Sequence, residues 1–251
     1  MFRFLYPVDW ITISSPINPS TRTTGVEQAS SQRKIIKRQN LASMLVDDLR
    51  KRLLSGEFSG GTLLRQEQLA QEYGVSRMPV REALRQLDSE GLVIMQTNRG
   101  ATVSELSLAE IDEIFDLRVV LELDLLERAI PNMTPAALDK SQRILEELDR
   151  AYASRDIAQW GALNGKFHMS LYEPSNRSIS LSLVSRLSLQ VDRYLRLQIS
   201  MTGAMTDGAV EHKAMLDLCR QGKSAEALEL LATHIQRTKA QLIGILSARR
   251  A

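Results

Sequence analysis

The stretch that decides the fold is Glu67-Gln-Leu-Ala-Gln-Glu-Tyr-Gly-Val-Ser-Arg-Met-Pro-Val-Arg-Glu-Ala-Leu84. Gly74 permits the positive φ of a tight turn, Val75 is expected to fill the core behind it, and Ser76 is expected to cap the following helix. Helical spacing then divides the side chains into an inward and an outward set. The inward set is Leu69, Ala70, Val80, Ala83, Leu84 and Leu87, and the outward set is Arg77, Met78, Arg81 and Arg85. The pattern predicts a helix-turn-helix.

The outward set predicts a DNA-binding surface. In a helix-turn-helix the start of the second helix enters the major groove, and the planar fork of arginine reaches guanine or phosphate. The alternative is a short helical hairpin with solvated arginines, and local charge does not exclude it. Residues 41–105 carry 8 Lys/Arg against 9 Asp/Glu, and the basic cluster at 33–38 moves this balance to +3. That cluster is either a segment that binds DNA phosphates or a solvent-exposed segment that precedes a helix.

A hairpin is expected directly after the second helix. Gly91–Gln96 and Ala101–Ser104 read as two strands, and the turn between them, 97–100, contains a glycine. This arrangement makes the predicted unit a winged helix-turn-helix. Arg99, in the turn, would reach a phosphate or the minor groove.

The composition of the whole chain excludes several classes of protein. The 251 residues are 43% hydrophobic and 25% charged, which excludes wholesale disorder, and the net charge of +2 names no partner. One cysteine, Cys219, excludes a disulfide framework. No apolar run reaches the ~18 residues of a membrane helix, and the start of the chain is a poor secretory signal, so we expect a cytoplasmic protein.

We expect a mainly α fold with three regions. Residues 1–32, rich in Ser and Thr and with three prolines, predict a disordered extension. Residues 33–105 form the winged helix-turn-helix, and residues 106–251 form an all-α bundle of six helices. Caps and breaks predict these six helices at 107–130, from Thr134-Pro135 onward, and at 156–172, 178–200, 207–220 and 224–248.

All three histidines of the chain lie in the helical half. Asn164 and His168 are four residues apart and share an apolar helix face. His212 and His234 are symmetric about residue 223, where the chain turns, so an antiparallel hairpin brings them to one height, roughly 16 Å from the turn. A single buried histidine is usually structural, but three that converge predict a site for Zn, Ni, Mn or Fe with open coordination positions.

Arg118 and Glu122 interrupt an apolar stripe on the first helix of this half. They are four residues apart, so they form either an internal or interfacial salt bridge or part of a ligand pocket. In the second case Arg118 would hold a ligand carboxylate with two hydrogen bonds.

The N-terminal motifs resemble those of GntR-type transcription regulators. The resemblance covers about 39–105 and rests on Leu63-Leu-Arg65, Leu69-Ala70, Gly74-Val-Ser-Arg77, Pro79-Val-Arg-Glu-Ala-Leu84, Glu90-Gly-Leu-Val93 and Arg99-Gly100. It implies that Ser76, Arg77 and Arg81 contact bases and phosphates, that Arg65 contacts phosphate, and that the wing tip at Gly100 meets the minor groove. It also implies a homodimer on double-stranded DNA with a palindromic operator.

The C-terminal motifs resemble the FCD effector domain of the FadR-like branch of that family, over about 108–245. The resemblance rests on Asp116-Leu-Arg118-Val-Val-Leu-Glu122, Asn164-x-x-Phe167-His168, Ser175-Asn176, Glu211-His212 and the segment from Ala225 to His234. It implies a divalent metal on Asn164, His168, His212 and His234, with Asn164 a weaker ligand than the usual aspartate. It also implies a small organic acid effector, for which Arg118, Glu122 and Asn176 are the candidate contacts.

The leading hypothesis is therefore a DNA-binding regulator, not an enzyme, controlled by a small carboxylate bound at a metal. One alternative is a metal-dependent hydrolase with a DNA-binding head. It needs a general base, and Glu122 is the only inward candidate because Glu211 should point off the face that carries His212. The other alternative is a regulator with a purely structural metal site.

Overall fold

The computed structural model describes residues 38–97, 99–202 and 206–250. The predicted extension over residues 1–32, and the first residues of the basic cluster, lie outside this part of the chain. No helix of the described part is long and apolar enough to cross a membrane.

The N-terminal elements form a winged helix-turn-helix. Its three helices are α1 (Arg38–Leu54), α2 (Gln66–Glu72) and α3 (Arg77–Ser89), and its strands are β1 (Leu63–Arg65), β2 (Val93–Gln96) and β3 (Gly100–Val103). Gly74, between α2 and α3, has the expected positive φ of 64°. Leu49, Val80, Leu84 and Leu87 are fully buried among the three helices, so the inward set of α3 is confirmed as core.

The sheet has one strand more than the sequence predicts. The strand order is β1-β3-β2 with antiparallel pairing, and β1 pairs Leu63 with Thr102 and Arg65 with Gly100. Gly100 has a φ of 131°, and a Cβ at this position would lie 1.9 Å from the Leu64 carbonyl oxygen. The glycine therefore allows β1 to approach the central strand.

The C-terminal half is all-α, as expected. Its six α-helices in the described residues are α4 (Leu108–Ala129), α5 (Pro135–Ser154), α6 (Ile157–Tyr172), α7 (Ser178–Thr202), α8 (Thr206–Arg220) and α9 (Ser224–Arg250). The predicted capping box opens α4, where the Ser107 side chain accepts from the Glu110 amide and the Glu110 carboxylate accepts from the Ser107 amide. The Thr134 hydroxyl caps α5. Short 3-10 turns follow α4 and α6 at Ile130–Asn132 and Glu173–Ser175.

One hydrophobic core fills the helical half. Helix α4 packs against α6, α7 and α9, and α5 packs against α6 and α8. Phe115, Phe167, Leu171 and Leu231 are fully buried where these helices meet. Burial of such side chains from several helices fixes the positions of the polar groups between them.

Helix α7 of the C-terminal half packs against the winged helix. Arg193 donates to the Ser104 carbonyl (3.1 Å), and the Leu106 amide donates to the Tyr194 hydroxyl (2.8 Å). Leu189 packs against the core of the winged helix. Two glycines of the winged helix leave room for α7, because a Cβ on Gly91 would lie 2.2 Å from the Gln190 Nε2 and one on Gly60 would lie 3.0 Å from an Arg193 nitrogen.

Candidate DNA-binding surface and histidine site

The outer face of α3 carries the candidate DNA contacts. All four predicted side chains, those of Arg77, Met78, Arg81 and Arg85, are exposed. Arg77 donates to Glu67 (2.5 Å), but both partners are largely solvated, so this pair is weak and phosphate can compete for the arginine. The arrangement presents three cations and one flexible apolar side chain to a partner.

Ser76 begins α3 but does not cap it with its side chain. Its backbone is extended at the N-cap position, and no hydrogen bond joins its hydroxyl to the first turn. The predicted start of the helix is confirmed, and the predicted side-chain cap is wrong. An exposed hydroxyl at a helix N-terminus is placed to bind a phosphate.

The wing residues differ in exposure. Arg65 and Arg99 are exposed, at the end of β1 and in the turn between β2 and β3. Gly100 is buried and faces the Leu64 carbonyl. Its predicted contact with the minor groove is therefore not supported by its position, since its close approach to β1 is an internal contact.

The three histidines converge in the helical bundle. His168 comes from α6, His212 from α8 and His234 from α9, and their ring centroids are 5.0–5.3 Å apart. His168 Nε2 and His212 Nε2 lie 3.2 Å apart, and one nitrogen of each ring falls within 4.8 Å of the others. The hairpin of α8 and α9 turns at Gly222, which explains why His212 and His234 reach the same height.

Burial keeps two of the rings neutral. Removal from water, together with the neighbouring histidines, holds the pKa of His168 and of His212 well below the ordinary value. Neutral imidazole is the form that binds metal ions.

The outer nitrogens of two rings are held by other side chains. His234 Nδ1 hydrogen-bonds Glu211 Oε2 (2.6 Å), and His168 Nδ1 lies 3.4 Å from the Tyr172 hydroxyl. Glu211 also pairs with both terminal nitrogens of Arg237. Burial alone would raise the pKa of Glu211, but hydrogen bonds from His234 and Arg237 outweigh it and lower that pKa. An ionised carboxylate thus orients His234.

The sequence predicts that Glu211 points off the face that carries His212, and its contacts are consistent with this. It does not contact His212 on its own helix, but it crosses to α9 and reaches the back of His234. The same hairpin symmetry that predicts the histidine pair would have found it, because Glu211 and Arg237 flank the turn at nearly equal distances.

The donor set fits a divalent metal ion. Nitrogen ligands about 2.05 Å from a tetrahedral ion lie about 3.3 Å from one another, close to the 3.2 Å between His168 and His212. His212 Nδ1 is buried and makes no hydrogen bond within the described residues. Asn164, half-buried on α6, lines the same cavity of about 80 Å³ as the three rings. A histidine whose outer nitrogen meets a carboxylate is typical of metal sites.

Arg118 lines this cavity, whereas Glu122 does not. Arg118 Nε donates to Glu122 Oε1 (2.7 Å), and the Tyr172 hydroxyl donates to Glu122 Oε2 (2.6 Å). Burial and the Glu122 carboxylate raise the pKa of Tyr172 well above its usual range, so this phenol stays protonated. The structure thus contains the internal salt bridge, with Glu122 orienting Arg118 rather than facing a ligand.

Asn176 is not brought to the cavity. It is exposed after α6, with a left-handed backbone (φ 56°), and its side chain donates to the Pro174 carbonyl (3.2 Å). Its predicted ligand contact therefore lacks support, and the structure gives it a role in the turn into α7.

Two family models match the two halves of the chain. The model of the gntR family of bacterial regulatory proteins matches residues 41–103, and the FCD domain model matches residues 113–237. The transcriptional regulator McbR of Escherichia coli K12 is 32% identical over 152 residues, which cover 61% of this chain and 69% of McbR. The chain belongs to the GntR family, with an FCD domain. It is a transcriptional regulator with a DNA-binding domain.

Further relatives agree with the GntR assignment. The gluconate operon transcriptional repressor of Bacillus licheniformis is 30% identical over 216 residues, covering 86% of this chain and 77% of the relative. The solved structure of E. coli McbR/YncC aligns with a TM-score of 0.73 and 26% identity, over 82% of this chain and 98% of that one. Because the family consists of regulators, the expectation that the chain is not an enzyme is confirmed, and we do not retain the hydrolase alternative.

Proposed function

We propose that a small carboxylate, bound at a divalent metal in the FCD domain, controls the operator affinity of this regulator. The observation that carries the proposal is the convergence of three histidine nitrogens within 4.8 Å. His168, His212 and His234 would hold the ion, with Asn164 as a fourth ligand. When bound, the ion would supply open coordination positions for an oxygen ligand.

Arg118 is the proposed partner of the carboxylate. Its Nε is committed to Glu122, and its two terminal nitrogens make no hydrogen bond to any residue that the structure describes. A carboxylate held by both terminal nitrogens gains a charge-assisted pair in a site shielded from water. The guanidinium carbon of Arg118 also lies 5.0 Å from the centre of the Phe115 ring, a cation–π contact.

On the DNA side we propose a domain over 33–105 followed by the effector domain over 106–251. Arg77 and Arg81 would read the major groove with Ser76 and Met78, while Arg65, Arg85 and Arg99 would contact the backbone. Exposure of all these side chains supports the proposal. Regulation of bacterial DNA implies action in the cytoplasm.

We also propose a homodimer on a palindromic operator. Exposed apolar side chains support a second copy as partner: Leu117 and Val120 on α4 are 44% and 68% exposed, and Ile179 and Leu183 begin α7. Apolar residues exposed in neighbouring turns of one helix are typical of subunit interfaces.

The test uses two variants with opposite expected defects, on an operator selected from random DNA with the wild-type protein. His212→Ala should lose bound metal, measured by elemental mass spectrometry, and lose the response of operator binding to acetate. It should bind the operator as wild type does. Arg77→Ala should retain the metal and lose specific operator binding by ~5–150-fold, the loss of ~1–3 kcal/mol expected for a base contact.

Circular dichroism of both variants controls for folding. Wild-type operator affinity in Arg77→Ala would overturn the DNA assignment. Metal that is bound stoichiometrically, but with no carboxylate altering operator affinity, would reduce the site to a structural one.

A further inference from the structure

The histidine cavity adjoins a second, larger cavity. Arg118, Asn164, His168 and Leu195 line both of them. The second cavity, which we call the α6–α7 groove, lies along those two helices and has a volume of about 550 Å³. The residues that would hold a carboxylate and a metal thus lie where the two cavities meet.

The two cavities differ in volume. The histidine cavity, at about 80 Å³, is small beside the groove. The groove falls within the ~300–1,000 Å³ typical of ligand pockets. A ligand anchored at Arg118 therefore has the larger space for its body in the groove.

The chemistry of the groove favours an uncharged, apolar body. Ile144, Met169, Val184 and Leu189 contribute apolar walls from α5, α6 and α7. Most of its charged side chains already have partners in the described structure, so they do not call for a second charge on the ligand. These pairs are Arg50 with Glu90, Lys140 with Glu173 and Arg196 with Asp192.

The glycine at position 165 is a second observation that favours a ligand in the groove. It lies inside α6 with ordinary helical backbone, where glycine destabilises a helix relative to alanine. A Cβ at this position would meet nothing within 4 Å, so packing within the chain does not require glycine. The missing side chain does widen the groove that Gly165 lines.

The groove also touches the DNA-binding domain. Leu54, from α1, and Leu189 line the groove, and both pack into the core of the winged helix. A body lying in the groove would contact both domains, and such contacts can differ between two arrangements of the domains.

From these observations we infer that the effector is an amphipathic acid whose carboxylate binds at Arg118 and the histidine site, and whose apolar chain or ring lies in the α6–α7 groove against Leu54 and Leu189. The inference rests on the proposed function, because it uses the same carboxylate site. It adds the class of ligand and the direct contact between that ligand and the DNA-binding domain.

The test measures binding of acetate, butyrate, hexanoate and octanoate to the zinc-loaded full chain by titration calorimetry. Each methylene buried in the groove should tighten binding by about fourfold. Gly165→Leu should fill the groove and weaken octanoate binding by at least tenfold. Ser188→Leu, on the opposite wall, should do the same if Gly165→Leu folds poorly by circular dichroism.

Gly244→Leu is the matched control. Gly244 lies inside α9 with the same open space around its missing side chain, but it lines none of the cavities described here. This variant should keep the wild-type dependence on chain length, which separates blocking of the groove from a general effect of leucine in a helix.

The outcomes separate this inference from the proposed function. Acetate that binds with no gain from longer chains overturns the inference alone. Length dependence that persists in both groove variants overturns it too, because the chain must then lie elsewhere. Length-dependent binding without zinc supports the groove and overturns the role of the metal. Failure of every acid to bind overturns both proposals.

Discussion

Among single residues, Glu211 controls how the histidine site presents its nitrogens. Its carboxylate accepts from His234 Nδ1 and is itself held by Arg237, so the ring of His234 is oriented with Nε2 toward His168 and His212. Removing a hydrogen-bond partner from the outer nitrogen of a metal-binding histidine commonly weakens metal affinity by ~10–100-fold. Glu211 is thus a positioning residue, distinct from the proposed metal ligands.

We expect Glu211→Gln to weaken zinc binding by ~10–100-fold, because the neutral amide no longer polarises His234 or pairs with Arg237. Competition with a chromogenic chelator measures the change in Kd. Glu229→Gln, at an exposed position of α9, is the control and should bind zinc as wild type does. Equal affinities in the two variants would show that Glu211 does not act on the site.

The residues of the site were partly predictable from the sequence. Helical spacing and the symmetry of one hairpin were enough to bring His168, His212 and His234 together. The same spacing left open whether Arg118 and Glu122 face a ligand or each other, because side-chain direction within a buried stripe depends on neighbouring helices. Tyr172, which engages Glu122, comes from 50 residues away.

At the scale of elements, the wing depends on how closely β1 approaches β3. A methyl group at residue 100 would collide with the Leu64 carbonyl, and alanine disfavours a φ of 131°. We expect Gly100→Ala to lower the denaturation midpoint of the winged helix and to weaken operator binding, with a cost of order 1–3 kcal/mol.

Gly56→Ala provides a comparison at positive φ without a collision, since a Cβ there would meet nothing within 4 Å. Its loss of stability, measured by urea denaturation followed by circular dichroism, should be the smaller of the two. A reversed order would show that strand approach at Gly100 is unimportant.

Helices whose ends are marked by residues close in sequence were predictable. Strand β1, which has no such marker, was not. Ser107 with Glu110, Thr134 with Pro135 and the break at Gly222 mark helix ends through contacts within a few residues. Strand β1 has three residues and pairs with a strand nearly 40 positions later, so it carries no periodic signal of its own. The two 3-10 turns, by contrast, each contain a proline directly after a helix end.

For the whole molecule, we expect Leu117→Glu combined with Val120→Glu to convert the proposed dimer into a monomer, since charge on an apolar contact opposes its burial. Light scattering after gel filtration measures the mass. Operator affinity should fall by ~10²–10⁴-fold, because one protomer cannot engage both half-sites.

Val210→Glu is the control for this pair. Val210 is 71% exposed on α8, so the same charge there should change neither mass nor affinity. A double variant that remains dimeric would place the subunit interface on another surface.

The fit between α7 and the winged helix limits how this protein exchanges parts with its relatives. Gln190 and Arg193 enter space left by Gly91 and Gly60, so the two halves have complementary surfaces in addition to a covalent link. In a hybrid that carries the winged helix of another family member, a larger residue at either position would force the side chain of Gln190 or Arg193 into another rotamer. The domains are therefore separate in sequence but have complementary surfaces, and recombination between them preserves this fit when both surfaces are inherited together.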